Sequence, residues 1–436
     1  MNRQMELEQK LNRPDATPDE RLAALRELMA LYRDGTLEPP TATNDVNNHI
    51  HTIYSFSPYS PTGAAYTAWK NGLQTAGIMD HDSVAGAREF IAAGEIIGIA
   101  VTCGFEVRCR IDNTPFVGRR TNNPDQTSIA YVTCHGIPHQ NLEAAQEWLK
   151  PYRAHREQRN RQMVERINAL MAASGIVLDY DRDVRVLSQA ANGGTVSERH
   201  LLYALAMKMT DKWGRGPQVL DQLKERLGIE VGGKNRELLS DPGNSMYEYY
   251  LLGVLKGNMV EQFYVDAVEE CPDIADFVAF AQKIGAVPAY PYLGDVGDSV
   301  TGDKKAQRFE DEYLDELIDW VSGAGFYAIT YMPTRNTSEQ LARLIALCEK
   351  YQFFQISGED INTPFQSFRC AAIQEPQFDH LVDSTWALIG QEWRASDSLD
   401  EGMFSERTIQ AMPALADRIA FFAAYARERF GAVDTN

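Results

Sequence analysis

Residues 77–106, GIMDHDSVAGAREFIAAGEIIGIAVTCGFE, decide the fold. The run opens on a short apolar segment over 77–79 and passes through Asp80-His81-Asp82 into a helical stretch over 85–97. It then returns to an apolar segment over 99–105 that ends at Glu106. Strand, helix and strand joined by tight connections form the unit from which parallel sheets are built. That unit recurs. Strands are expected over 46–50, 77–79, 99–105, 129–134, 286–289, 326–330 and 353–356, with helices over 61–75, 85–97, 307–321 and 338–351. Seven such strands, a count good to within one, suggest an α/β fold whose parallel sheet closes, or nearly closes, into a barrel.

Working outward, the alternation stops between about 150 and 285. A helix over 153–171 carries Met163, Ile167, Leu170 and Met171 on one face, and helical patterns follow over 198–209, 216–227 and 246–268. This predicts a helical insertion after strand 4. Ahead of the barrel, Thr17-Pro18-Asp19-Glu20 supplies an N-cap, a proline at the first helical position and an acid at the third, followed by Leu22, Leu25, Leu28, Met29 and Tyr32 at helical spacing. The expected organisation is an N-terminal helical extension (1–43), a first barrel part (44–150), the insertion (151–285), a second barrel part (286–375) and a C-terminal helical tail (376–436).

Composition excludes several classes. A chain of 436 residues with 44% hydrophobic and 10% aromatic content buries a sizeable core and is not disordered. Its net charge of −19 repels phosphate backbones and anionic lipid, which argues against coating nucleic acid or a membrane. The six cysteines form no C-x-x-C pair and read as reduced, buried thiols. The opening MNRQMELEQK has no apolar signal segment, so a cytoplasmic location is expected, with oligomerisation left open.

The eight histidines carry most of the functional information. His49 and His51 sit at i and i+2 at the end of the first expected strand, a spacing that puts both side chains on one face. His81 follows the second strand within Asp80-His81-Asp82, Glu106 ends the third, His135 the fourth, and Asp360 follows the seventh. In a parallel barrel the strand C-termini open on one face, so these residues would converge. Neutral imidazole mixed with carboxylate suits zinc, manganese or iron better than magnesium or calcium. Such ions acidify bound water and neutralise charge growing on a phosphoryl oxygen. Arg199 and His200 open a helix, where free N–H groups favour an anion, and Arg335 follows the sixth strand; all three are expected to contact substrate. The basic stretch 150–166 reads either as a solvated helix face or as an anion-gathering wall. No Gly-rich phosphate loop and no G-x-S-x-G elbow is present.

The pattern resembles the polymerase and histidinol phosphatase (PHP) superfamily of metal-dependent phosphoesterases. The matching segments are His49-Ile-His51-Thr, Gly77-Ile-Met-Asp80-His81-Asp82, Gly104-Phe-Glu106, Val132-Thr-Cys-His135-Gly136 and Ser357-Gly-Glu-Asp360. Ser197-Glu198-Arg199-His200 is similar to a helix start in the nucleotide-phosphatase branch, which lends Arg and His to phosphate binding. The resemblance implies a distorted (β/α)7 TIM-like barrel in which His49, His51, Glu106 and Asp360 form a first metal site. It also implies that Glu106 bridges to a second ion held partly by His135, and that His81 belongs to a third position. Glu106, Asp360 and His135 would carry catalysis, with Asp80, Asp82, Tyr290 and Asn362 beside the ligands. Ser57, Tyr290 and Asn362 stand where the family has stronger ligands, so one to two divalent ions are expected rather than three. The expected activity is hydrolysis of a small phosphorylated metabolite or nucleotide. The alternatives are a metal-dependent hydrolase of a non-phosphorylated substrate and a non-catalytic metal-containing binding protein.

Overall fold

In the computed structural model, which describes residues 3–295 and 308–432, the strand–helix units build a curled six-stranded sheet in the order β1-β2-β3-β4-β5-β6. The strands are β1 (Thr75–His81), β2 (Ala100–Arg110), β3 (Ile129–His135), β4 (Val287–Pro291), β5 (Ala328–Tyr331) and β6 (Phe354–Ser357). β1 and β2 are parallel, as are β4, β5 and β6, but β3 runs antiparallel to both β2 and β4. The expected parallel (β/α)7 barrel is thereby corrected to a six-stranded half-barrel.

Two local causes account for the difference. A parallel crossover needs a helix-sized connection, whereas β2 and β3 are joined by a loop over 111–128 that contains no helix. The expected first strand, 46–50, is not a strand either. Ile50 makes isolated parallel bridges to Ile78 and Ile361, while Asn47 Oδ1 accepts from His49 N–H at 2.9 Å and Asn48 Nδ2 donates to the Ser357 carbonyl at 2.8 Å. Side-chain amides that take over backbone partners stop a ladder from propagating. Through Ile50 the segment still touches β1 and the chain just past β6.

The helices are α1 (Arg3–Leu11), α2 (Pro18–Arg33), α3 (Pro61–Lys70) and α4 (Ala87–Ile97), followed by the insertion helices α5 (Leu142–Leu170), α6 (Glu198–Trp213), α7 (Pro217–Leu227), α8 (Gly233–Ser240) and α9 (Tyr247–Phe263). After these come α10 (Ile274–Lys283), α11 (Leu314–Gly323), α12 (Ser338–Tyr351), α13 (Asp379–Asp397), α14 (Glu406–Ala411) and α15 (Leu415–Phe430). Residue 307, where one helix was expected to start, lies outside the described residues. The capping box of Thr17 and Glu20 forms at the start of α2. α5 begins well before the expected 153 and carries an exposed Pro151. It joins two cores, entering the main one through Leu142, Ala145 and Leu149 and the insertion's own through Met163, Val164 and Ile167.

β2 sets the two faces of the sheet. Val101, Cys103, Phe105, Val107 and Cys109 join the main core, so by the two-residue period of a strand Thr102, Gly104, Glu106 and Arg108 occupy the other, inner face. There Thr102 Oγ1 donates to Glu392 of α13 at 2.7 Å, and Ala289, Ala328, Phe354 and Ile356 pack against Trp386–Ile389. α13 thus fills the lower part of the inner face and leaves the part around Glu106 for other groups. Among the described residues no helix is long and apolar enough to cross a membrane.

Candidate metal centre

His49 and His51 flank Ile50, whose two bridges hold this segment between Ile78 and Ile361. Both imidazoles enter the same space, with ring centroids 5.0 Å apart. The parallel register of β1 and β2 sets His81 opposite Glu106, and His81 Nδ1 lies 3.1 Å from Glu106 Oε2. His49 Nε2 approaches the same oxygen at 3.7 Å. The ligating atoms of His49, His51 and Glu106 all fall within 4.8 Å of one another. Asp360 Oδ1 stands 3.1 Å from His51 Nε2 and accepts from Asn362 Nδ2 at 2.6 Å.

His135 arrives by a different route. It ends β3, which runs opposite to its neighbours, so the rule that strand C-termini share one opening does not apply to it. Register brings it in instead: Thr133 lies opposite Glu106, and His135, two residues on, faces the same side. Glu106 likewise does not end its strand, because β2 continues to Arg110.

His49, His51 and His135 each bury an Nε2 atom without a hydrogen-bond partner. Buried polar atoms are nearly always paired, and imidazole nitrogens converging beside a carboxylate are a donor set for a divalent transition ion. The residues fit such an ion. Burial pushes both His81 and His135 down to about 3, so these imidazoles are neutral near pH 7 and keep a lone pair. For Glu106, burial raises the carboxyl, but His81 and His49 outweigh it and leave it below its ordinary value, hence ionised.

The remaining expected residues divide. Asp80 accepts from Thr52 N–H (2.7 Å) and Ser55 Oγ (2.6 Å) on Oδ1 and from Thr52 Oγ1 (2.6 Å) on Oδ2. Asp82 adopts a positive φ of 51° and pairs with Arg156 at 2.8 Å. Tyr290 is turned away from the ligand cluster, its hydroxyl donating to buried Glu310 at 2.9 Å. Arg335 Nε donates to the Leu293 carbonyl at 3.2 Å, holding the chain that follows β4. His200 is buried and caps α6, its Nδ1 accepting from Ser197 N–H at 3.0 Å. Arg199 lines the cavity above the ligands. Its charge helps to lower the Asp360 carboxyl, after the opposing effect of burial and the stronger pull of His51.

That cavity, about 230 Å³, is bounded by the cluster on one side and by Arg108, Tyr131, Arg156, Arg199 and Lys256 on others. The arginine-rich helix divides: Lys150, Arg161 and Arg166 lie on a solvated face, whereas the two arginines that turn inward are held in ion pairs. Arg156 and Arg159 are buried with Arg108 among three carboxylates, Asp82, Glu198 and Glu270. The pairs include Arg159–Glu198 and Arg159–Glu270 at 2.5 Å, Arg156–Glu270 at 3.2 Å, and Arg108–Glu270. Arg108, Tyr131 and Lys256 escaped the sequence reading. For Arg108 a signal existed: the alternation along β2 puts it on the face of Glu106, two residues on.

No family model and no curated protein matches the sequence. Among solved structures, the chain is similar in fold to a protein from Bifidobacterium adolescentis assigned as a metal-dependent phosphoesterase, with 18% identity, 80% of this chain and 98% of that chain covered, and a TM-score of 0.50. An amidohydrolase from Chromobacterium violaceum, crystallised with sulfate and without metal, aligns at 18% identity over 78% of this chain and 96% of that chain, with a TM-score of 0.49.

Proposed function

We propose that the chain is a metal-dependent hydrolase whose substrate is a small phosphate ester. One observation carries the reading: unpartnered imidazole nitrogens converge with Glu106 on the floor of a cavity edged by Arg199 and Lys256. His49, His51, Glu106 and Asp360 would hold a first ion, with His81 and His135 available to a second. A divalent ion held there supplies Lewis-acid charge and lowers the pKa of its water toward about 7.

The chain's own groups do the rest. Arg199 and Lys256 bind the non-bridging phosphate oxygens, where charge grows as the ester breaks. Tyr131, whose hydroxyl is pushed well above its ordinary value by burial, keeps its proton and offers a donor from the wall. Asn362 fixes the Asp360 carboxylate. The description of the Bifidobacterium protein agrees with this reading.

The test is phosphate release from a panel of monoesters and diesters with added Mn²⁺ or Zn²⁺. Release that Glu106→Gln abolishes supports the proposal, and Arg199→Ala should lower kcat/KM by about 10–100-fold, the worth of a charge-assisted hydrogen bond. A metal-loaded protein that releases no phosphate across the panel refutes phosphoesterase activity and favours a non-phosphorylated substrate.

A further inference from the structure

We propose that Ser55 and Asp80 are positioning residues for His51: they hold a proton on its Nδ1 and so direct the Nε2 lone pair into the ligand cluster. The proposal rests on the metal-centre reading above and adds to it a device that the ligand spacing does not reveal.

Thr52 N–H can only donate, so Asp80 Oδ1, 2.7 Å away, is an acceptor. Ser55 Oγ lies 2.6 Å from that same oxygen and commits its single proton there. The other contact of Ser55 Oγ is His51 Nδ1 at 3.2 Å. With its proton already placed, the hydroxyl can meet Nδ1 only as an acceptor, so Nδ1 carries the hydrogen. In the neutral ring that binds a metal, Nε2, the atom turned toward Asp360, is then the nitrogen with a lone pair to give. Ser55 and Thr52 are 0% exposed, and His51 and Asp80 1%, so bulk water does not replace any member of the chain. Metal-binding histidines in general have their second nitrogen fixed in this way, commonly by a carboxylate or carbonyl. Here a serine stands between imidazole and carboxylate, and its two-way hydroxyl makes the pair of substitutions informative.

Without Asp80, the Ser55 proton is free to turn onto Nδ1, which favours the tautomer with hydrogen on Nε2, facing the ion. Without Ser55, neither tautomer is favoured. Asp80→Ala should therefore weaken zinc binding more than Ser55→Ala, by about 10–100-fold relative to the unaltered chain. The double substitution should bind zinc more tightly than Asp80→Ala alone. Asp80→Asn should rescue, since its amide oxygen still accepts from Thr52 N–H and Ser55 while its NH₂ meets Thr52 Oγ1.

Zinc affinity measured by chelator competition on the full chain, together with ¹⁵N imidazole NMR of His51, decides the matter. The expected result is a proton on Nδ1 in both the zinc-free and zinc-loaded protein, with the affinity order just given. A double variant no tighter than Asp80→Ala, an Asp80→Asn as weak as Asp80→Ala, or zinc bound through Nδ1 overturns the proposal. An unaltered chain that binds no zinc overturns the metal-centre reading instead, and the zinc-free NMR still reports whether Nδ1 carries the proton.

Discussion

Glu106 is approached at 3.1 Å by His81 and at 3.7 Å by His49, and a carboxylate in that place can take a metal only while ionised. Glu106→Gln keeps the volume and removes the charge. We expect a folded protein, by circular dichroism, whose divalent metal content falls sharply and whose hydrolysis is lost. Glu310 is buried beneath Tyr290 and the backbone N–H groups of Leu293 and Gly294. Burial raises its carboxyl to about 7 despite those three hydrogen bonds. A carboxyl raised on folding binds its proton more tightly in the native state. Its contribution is therefore favourable below the unfolded value near about 4.3 and is lost as pH rises through about 7. Compared with Glu310→Gln, the unaltered chain should lose a few kcal/mol between those limits, read from denaturant unfolding at stepped pH. Equal slopes for the two proteins would contradict this.

At the scale of elements, α13 and α15 meet where Gly390 has no side chain: a Cβ there would stand 2.2 Å from the Phe422 carbonyl oxygen. Gly390→Ala must separate the helices, at a cost of about 1–3 kcal/mol, seen as a lowered Tm. Because α13 supports the inner face of the sheet, metal affinity should fall with it. The elements also mark what the sequence disclosed. The apolar runs of β1, β2 and β3 and the capping box of α2 were legible because period and cap chemistry are local. The antiparallel course of β3 was not, since strand direction depends on where the chain goes between strands. The failure of 46–50 to become a strand depended on Asn47 and Asn48 finding backbone partners, one of them at distant Ser357. The His/Glu/Asp residues were readable one by one; Lys256, on an insertion helix, has no local pattern that aims it at the cavity.

At the scale of the molecule, the insertion is tied to the sheet by buried charges. Arg108 on β2 and Arg159 on α5 both reach Glu270 and Glu198. Breaking a buried ion pair from one side costs about 3–5 kcal/mol. Arg159→Met should therefore lower Tm markedly and, by loosening α6, which carries Arg199, should raise KM for the substrate. An unchanged Tm would show that the network does not hold the two cores together. The net charge of −19 takes on a local meaning here: Glu106 and Asp360 are counted in it, yet both stand against histidine rings, and Arg199 and Lys256 edge the same cavity.

If His49, His51 and Glu106 bind a divalent ion, the protein should carry one when isolated. The measurement is elemental analysis of protein purified without chelator, beside His49→Ala and His51→Ala. We expect zinc, manganese or iron in near-stoichiometric amount in the unaltered chain and its loss in both variants. Metal content unchanged by both substitutions would contradict it.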